Sequence, residues 1–278
     1  MKNTIDELNV MTNCSVCSNT MEVCFTAEVL NKYQVQYEYC ETCGFLRAHE
    51  PHWLEEAYTS AIANADTGLV ARNIAIANKL IGVLYWVLKE TGQNQYLDAA
   101  GGYGMLTRLM RDFGFDFYWH DPYCTNILAL SFEYSSAIGS CNVVTAMEVL
   151  EHVTDPVAFI KEMFSFSGAN SLVFTTELYE GEPPKPDAWW YYSFSTGQHI
   201  SFYQRRTLVM IAQKLGLYFA SANGIHVISK TPINEYLLGI VTGRLGSRIA
   251  PFWIRKKMNS KMMSDHQLIL QKIGKEEK

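Results

Sequence analysis

Tyr96-Leu-Asp-Ala-Ala-Gly-Gly-Tyr-Gly104, running into Met105-Leu-Thr-Arg-Leu-Met110, is the stretch whose reading decides the fold. It reads as a short strand, a glycine-rich turn and the start of a helix. An acid, Asp98, ends the strand. Small residues follow at Ala100, Gly102 and Gly104, where a bare backbone lets a ligand come close and lets the helix pack on the strand. Seventeen residues beyond Gly104, Asp121 closes a second apolar run, Phe115-Asp-Phe-Tyr-Trp-His-Asp121. A carboxylate there can accept hydrogen bonds from the hydroxyls of a ribose. Taken alone, the pattern fits a nicotinamide dinucleotide as well as another nucleoside-bearing cofactor, and a purely structural tight turn also satisfies it.

Outward from this turn, strands and helices alternate. Residues 142–147, 171–178, 217–222 and 226–230 read as strands. Residues 155–166, with Pro156 at the start, and 206–215, closed by Gly216, read as helices. Upstream, residues 67–89 carry apolar side chains at helical spacing. The alternation predicts an α/β, Rossmann-like fold with a mostly parallel seven-stranded sheet covered by helices on both faces. With 278 residues, 48% of them hydrophobic, the chain suffices for one such domain and small appendages. The divisions expected are residues 1–50, 51–230 and 231–278.

The first division is set by cysteines. Cys14-Ser-Val-Cys17 and Cys40-Glu-Thr-Cys43-Gly44 are two knuckles, and four thiolates so spaced can complete a tetrahedron around Zn²⁺. Between them Val29, Tyr33, Val35, Tyr37 and Tyr39 suit a zinc-ribbon-like hairpin. Such a short segment buries too little surface to fold without the metal. Four thiolates leave no open position, so the zinc would be structural rather than catalytic. Cys24, Cys124 and Cys141 stand alone and read as buried, inert thiols. The polar start at residues 1–10 shows no secretory signal, and no run reaches the roughly 18 apolar residues of a membrane span. A cytoplasmic location with reduced thiols is therefore expected.

The glycine turn resembles motif I of class I S-adenosylmethionine-dependent methyltransferases, acid-x-Gly-x-Gly-x-Gly, with Ala100 in the first glycine's place. Val144-Thr-Ala-Met-Glu-Val-Leu-Glu-His-Val-Thr-Asp-Pro156 looks like motif IV of the same families, and Gly197-Gln-His-Ile-Ser-Phe-Tyr203 is similar to a later stretch of theirs. The resemblance implies that Asp98, Ala100, Gly102 and Gly104 line the methionine moiety and that Asp121 holds the ribose. It places Pro122 and Tyr123 near the adenine, and Ala146 and Met147 beside the donor methyl. An N-terminal four-cysteine module also occurs in similar sugar C-methyltransferases. Those carry Glu-His where this chain has Gln198-His199, and the 48 residues after Lys230 are expected to be too few for the large C-terminal domain of that family.

His199 and His152 are the candidate bases. Glu148, Glu151 and His152 also match the E-x-x-E-H that binds a divalent metal in similar ubiquinone-pathway O-methyltransferases. Trp189, Trp190, Tyr191 and Tyr192 stand in a proline-bearing loop, where they can stack on an acceptor or form a packed lid. From Lys230 onward there are ten Lys/Arg and four Asp/Glu, leaving a net charge of −11 on the first 229 residues. This basic helical tail can dock on the domain, meet a phosphate-bearing ligand, or touch a membrane surface peripherally. The expected reaction is methyl transfer to a small molecule, a hydroxyl of a sugar or nucleotide sugar, with no nucleic acid involved. Two rivals stand beside it: an RNA-modifying protein and an NAD-dependent oxidoreductase. The ribbon carries only Lys32 against four glutamates between Cys14 and Cys43, which disfavours nucleic acid.

Overall fold

The computed structural model describes residues 12–58 and 66–276. The polar start read for secretion therefore lies outside the described residues.

The central sheet is built from β5 (Gln95–Asp98), β6 (Asp116–Trp119), β7 (Val143–Met147), β8 (Ser171–Thr175), β10 (Tyr218–Ala222) and β11 (Ile225–Ser229). Its order is β10-β11-β8-β7-β5-β6. β6, β5, β7 and β8 run parallel, while β11 is antiparallel to β8 and to β10. The seven-stranded, mostly parallel sheet expected from the sequence is thus corrected to six strands with an antiparallel end. Beyond β6, where a further strand could stand, Glu133 alone bridges in parallel to Trp119. The surrounding segment carries Pro122, Ser131, Ser135, Ser136 and Gly139, and these interrupt any run able to pair further.

Helices α2 (Leu69–Gly82), α3 (Met105–Asp112), α4 (Pro156–Ser167) and α5 (Arg205–Lys214) cover the sheet. α4 starts as its sequence demands. Asp155 accepts from the Val157 and Ala158 amides at 3.0 Å each, Pro156 occupies the first turn, and Gly168 ends it in the left-handed region. α2 passes directly into a wider turn over Val83–Val87.

A second sheet, β1 (Thr12–Asn13), β2 (Thr20–Val29), β3 (Tyr33–Cys40), β4 (Phe45–Ala48) and β9 (Ser201–Phe202), is antiparallel throughout. Its last strand comes from far along the chain: Leu46 pairs with Phe202 and Arg47 with Ser201. Cys14, Cys40, Cys43 and Phe45 pack in one buried cluster with Leu97, Val144, Phe174 and Leu208 of the central layers. The cysteine-bearing segment therefore shares its core with the α/β sheet.

α1 (Leu54–Ala57) follows β4, and toward the C-terminus stand α6 (Glu235–Thr242), α7 (Gly246–Arg255) and α8 (Met262–Glu276). Gly82 lets α7 approach α2, since a Cβ there would lie 3.3 Å from that of Ala250. Asp265 fastens α8 by accepting from Arg111 Nε and Nη2 at 2.8 Å and from Arg108 at 2.7 Å.

Candidate active site and four-cysteine centre

The glycine turn and the end of β6 are tied together by one carboxylate. Asp121 Oδ2 accepts from the Gly102 amide at 2.9 Å, and Oδ1 from the amides of Tyr123 and Cys124 at 2.8 and 3.0 Å. A carboxylate offers about four acceptor positions, so Oδ2 keeps room for one further donor such as a ribose hydroxyl. Gly104 sits at φ +87°, and a Cβ there would meet Asn126 Oδ1 at 2.7 Å and the Ala129 amide at 2.9 Å. Only glycine satisfies both the backbone conformation and this close approach. Trp119 donates to the Gly102 carbonyl at 2.9 Å and covers Gly101.

Asp98 is buried and accepts from Thr145 at 2.9 Å and Thr107 at 3.2 Å. Burial pushes its carboxyl up to about 6 despite these bonds. Ala146 is buried at the mouth of β7 and Met147 is half-buried; Tyr123 is exposed. Ala100 and Pro122 lie in the same two loops.

A second constellation stands at the end of β7. Glu148 has φ +56°, a costly backbone conformation for a side-chain-bearing residue, and its amide donates to Thr175 Oγ1 at 2.9 Å. The following turn, Leu150–His152, delivers Glu151 and His152. His199 arrives just before β9, held there by the Ile200 amide on the Glu151 carbonyl at 2.7 Å. Donor atoms of Glu151, His152 and His199 lie within 4.8 Å of one another, and the two imidazoles meet edge to face at 4.9 Å.

The protonation of both rings follows from their neighbours. Nδ1 of His199 is 2.6 Å from the Tyr191 carbonyl, and Nδ1 of His152 is 2.9 Å from that of Gln198. A carbonyl only accepts, so each Nδ1 carries the proton and each Nε2 presents a lone pair. Burial holds both imidazoles below their ordinary pKa and thus neutral at pH 7. Glu151 is fully buried, and neither of its carboxylate oxygens has a hydrogen-bond partner within 3.5 Å among the described residues. Burial, and then the charge of Glu148, push it up to about 7.

That shift has a consequence for stability. An unfolded glutamate titrates near about 4.3, so below that pH Glu151 is protonated in both states and costs nothing. As pH rises to 7 the unfolded chain sheds its proton first, and the folded state is penalised by up to about 3 kcal/mol. Glu151→Gln is therefore expected to raise the thermal midpoint at pH 8 and to leave it little changed at pH 4. A midpoint lowered at pH 8 would mean that the carboxylate is balanced by a bound cation.

The four loop aromatics divide. Tyr191 is buried, and its ring lies 4.7 Å from that of His199. Tyr192 is buried among Phe25, Tyr37, Phe194 and Phe202, with its hydroxyl on the Pro184 carbonyl at 2.6 Å. Trp189 is half-buried and Trp190 is 77% exposed, so the outer indole is free to meet a ligand. Two residues escape a motif-based reading. Tyr58 has ring contacts with both Tyr123 at 6.4 Å and His152 at 6.1 Å, and so spans the two constellations. Arg72 grips Asp66 through two bonds of 2.6 and 3.1 Å, and its charge is felt by Glu148 and Glu151. Neither lies in a recognisable pattern; only folding brings them to the site.

The four cysteines do converge. Cys14 Sγ is 3.5 Å from Cys43 Sγ and Cys17 Sγ is 3.4 Å from Cys40 Sγ, and all four lie within 4.8 Å. Disulfides would bring sulfurs to about 2.05 Å. Thiolates at about 2.3 Å around a tetrahedral zinc stand about 3.8 Å apart, close to what is seen. Cys24, expected to be buried, is exposed at a register shift in β2, although its Sγ reaches the Tyr37 carbonyl at 3.2 Å. Cys141 is buried and Cys124 half-buried.

A family model described as a methyltransferase domain matches residues 70–222, more than half of the chain, and the chain belongs to that family. Among solved structures it is similar to TnmH, at 16% identity and a TM-score of 0.45 over 64% of this chain and 60% of that one. It is likewise similar to CalO1, a methyltransferase in calicheamicin biosynthesis, at 10% identity, a TM-score of 0.44, and 66% and 60% coverage. An O-methyltransferase family 2 protein from Planctomyces limnophilus, in complex with apigenin, matches at 16% identity, a TM-score of 0.42, and 64% and 65% coverage. The chain thus spans about 60% of the length of the first two. No curated protein sequence matches it. No helix among the described residues is long and apolar enough to cross a membrane.

Proposed function

We propose that the protein transfers a methyl group from S-adenosylmethionine to a hydroxyl of a small molecule, with His199 as the base. Bound at the glycine turn, the cofactor supplies a methyl on a sulfonium, already a good leaving group, so alignment is the main requirement on the protein. The reading rests chiefly on one observation: two imidazoles whose Nδ1 atoms face backbone carbonyls, leaving Nε2 to act, stand beside a buried carboxylate that has no hydrogen-bond partner among the described residues. His199 Nε2 would take the hydroxyl proton as the oxygen attacks the methyl carbon. Glu151, whose negative charge favours the protonated form of His199, would stabilise the resulting imidazolium. His152 would hold its neighbour edge-on. By the family resemblance Asp98 would lie near the methionine moiety, and Asp121 Oδ2 has room for a ribose hydroxyl. The exposed Trp190 favours a flat or sugar-like acceptor, and the four-cysteine module, shared in kind with sugar methyltransferases, favours a nucleotide sugar. The same module would hold a structural Zn²⁺ between Cys14, Cys17, Cys40 and Cys43.

Calorimetric titration with S-adenosylmethionine and S-adenosylhomocysteine tests the donor. Micromolar binding is expected, weakened at least about tenfold by Asp121→Ala, which removes both the ribose acceptor and the tie to Gly102. Failure of the folded protein to bind either compound would remove the methyltransferase reading.

A second reading of the inner site is favoured by the partnerless oxygens of Glu151. Together with Nε2 of His152 and His199 they can hold a divalent cation that polarises the acceptor oxygen. Metal analysis separates the two. One zinc per chain supports the base mechanism; a second divalent ion, lost selectively in Glu151→Gln, supports the cation.

A further inference from the structure

α7 has an apolar face that none of the described residues covers. Leu245, at its N-terminal end, is 71% exposed, Phe252 62% and Trp253 57%; Ile249 between them is exposed as well. At about 100° per residue these four fall within an arc of about 100°. Ala250 and Ile254, the residues buried against the domain, point the opposite way. Arg248 and Arg255 flank the stripe on one side, exposed, and Lys256 lies over the Phe252 ring at 4.3 Å. Exposed apolar side chains continue at Met262 and Met263 where α8 begins. An α-helix that is buried on one side, apolar and aromatic on the other and rimmed by arginine and lysine has the composition of an interfacial helix.

We propose that this face of α7, with the start of α8, seats the protein on an anionic lipid surface. The charge distribution selects that partner. Residues 230–278 carry ten Lys/Arg and four Asp/Glu, whereas the first 229 residues carry a net −11. An anionic bilayer attracts the first and repels the second, so it both binds and orients the molecule. A second copy related by a two-fold axis would set Arg248, Arg255 and Lys256 against their own counterparts. A nucleic-acid backbone would satisfy the cations and leave four apolar side chains in water. Headgroups and acyl chains satisfy both sets at once. No helix among the described residues can span the bilayer, so the contact is peripheral.

The test is co-sedimentation of the full chain with vesicles of phosphatidylcholine alone and of phosphatidylcholine mixed with phosphatidylglycerol, at low and high salt. Binding is expected only to the mixed vesicles and is weakened by salt. The pair Phe252→Ser with Trp253→Ser, and separately Arg248→Gln with Lys256→Gln, should each lower partitioning about tenfold or more. These side chains are exposed, so circular dichroism and the thermal midpoint should match those of the parent protein. Quenching of tryptophan fluorescence by brominated lipid should fall with the aromatic pair. Equal binding to both vesicles, no binding by the folded protein, or binding indifferent to the aromatic pair would overturn the proposal. So would a stable dimer that the aromatic substitutions dissociate.

Discussion

His199→Asn is expected to lower the proposed methyl-transfer turnover by about 10²- to 10⁴-fold while leaving affinity for the donor unchanged. Asparagine keeps an N–H able to reach the Tyr191 carbonyl, so the loop that packs on His199 is retained while the proton acceptor is lost. The imidazole lies below its ordinary pKa because it is buried, and it is neutral at pH 7. The wild-type rate should therefore fall on acidification, and the titration of Glu151 at about 7 should extend that fall toward neutral pH. In His199→Asn that acid limb should vanish along with most of the rate. His152→Asn should cost less, since the charge of Glu151 favours protonation of His199, whereas the carboxylate felt by His152 is Glu148. The measurement is turnover in a screen of hydroxyl-bearing acceptors, nucleotide sugars included, paired with donor titration. A variant at wild-type rate, or one losing donor affinity as fast as turnover, would show that the histidine is architectural.

The parts of this site legible in the sequence are those made by neighbours along the chain. A strand, a glycine turn and a helix lie within Tyr96 to Met110, and the α3 turn depends on a glycine that a reader can see. The cysteine pairs announce themselves by spacing, because each knuckle is a local turn. Glu151 and His152 share one short turn. What stayed hidden is long-range. Nothing in residues 45–48 says that they pair with 201–202, yet that pairing is what carries His199 to Glu151. Asp121 reads as a ribose ligand from its place at a strand end; its three backbone amides, which give it a second role in fixing the turn, depend on how two loops meet. Trp189 to Tyr192 read as one aromatic group, stacking on an acceptor or packed as a lid. The structure distributes them because the β2–β3 hairpin needs apolar cover, which Tyr192 supplies, while Trp190 is left outside. The missing seventh strand has the same origin. Alternation counts strands well, but it does not register where a serine- and glycine-bearing segment stops at a single bridge.

Chelating the zinc proposed for the four-cysteine centre, or replacing Cys17 and Cys43 by serine, should lower the unfolding temperature of the whole protein in a single cooperative transition. Binding of structural zinc to small thiolate sites is worth about 10–16 kcal/mol near neutral pH, as large as the entire stability of an ordinary domain, about 5–15 kcal/mol. The loss cannot stay local, because the centre has no core of its own. Cys14, Cys40 and Cys43 are buried with Leu97 and Val144 of the central sheet, and the Cys43 carbonyl accepts from Thr207 of α5 at 2.8 Å. Lys214 at the other end of α5 donates to the Val16 carbonyl at 2.9 Å, and Tyr179 to that of Gly44 at 2.8 Å. β4, which leaves the second knuckle, carries the strand that follows His199. Catalysis should therefore fail together with the fold, and both should return when zinc is restored to the chelated wild type. Differential scanning calorimetry of the zinc-loaded and stripped protein decides the matter. Two separate transitions, with the α/β sheet melting at its original temperature, would show that the module is an independent appendage and that the shared core does not couple it to the site.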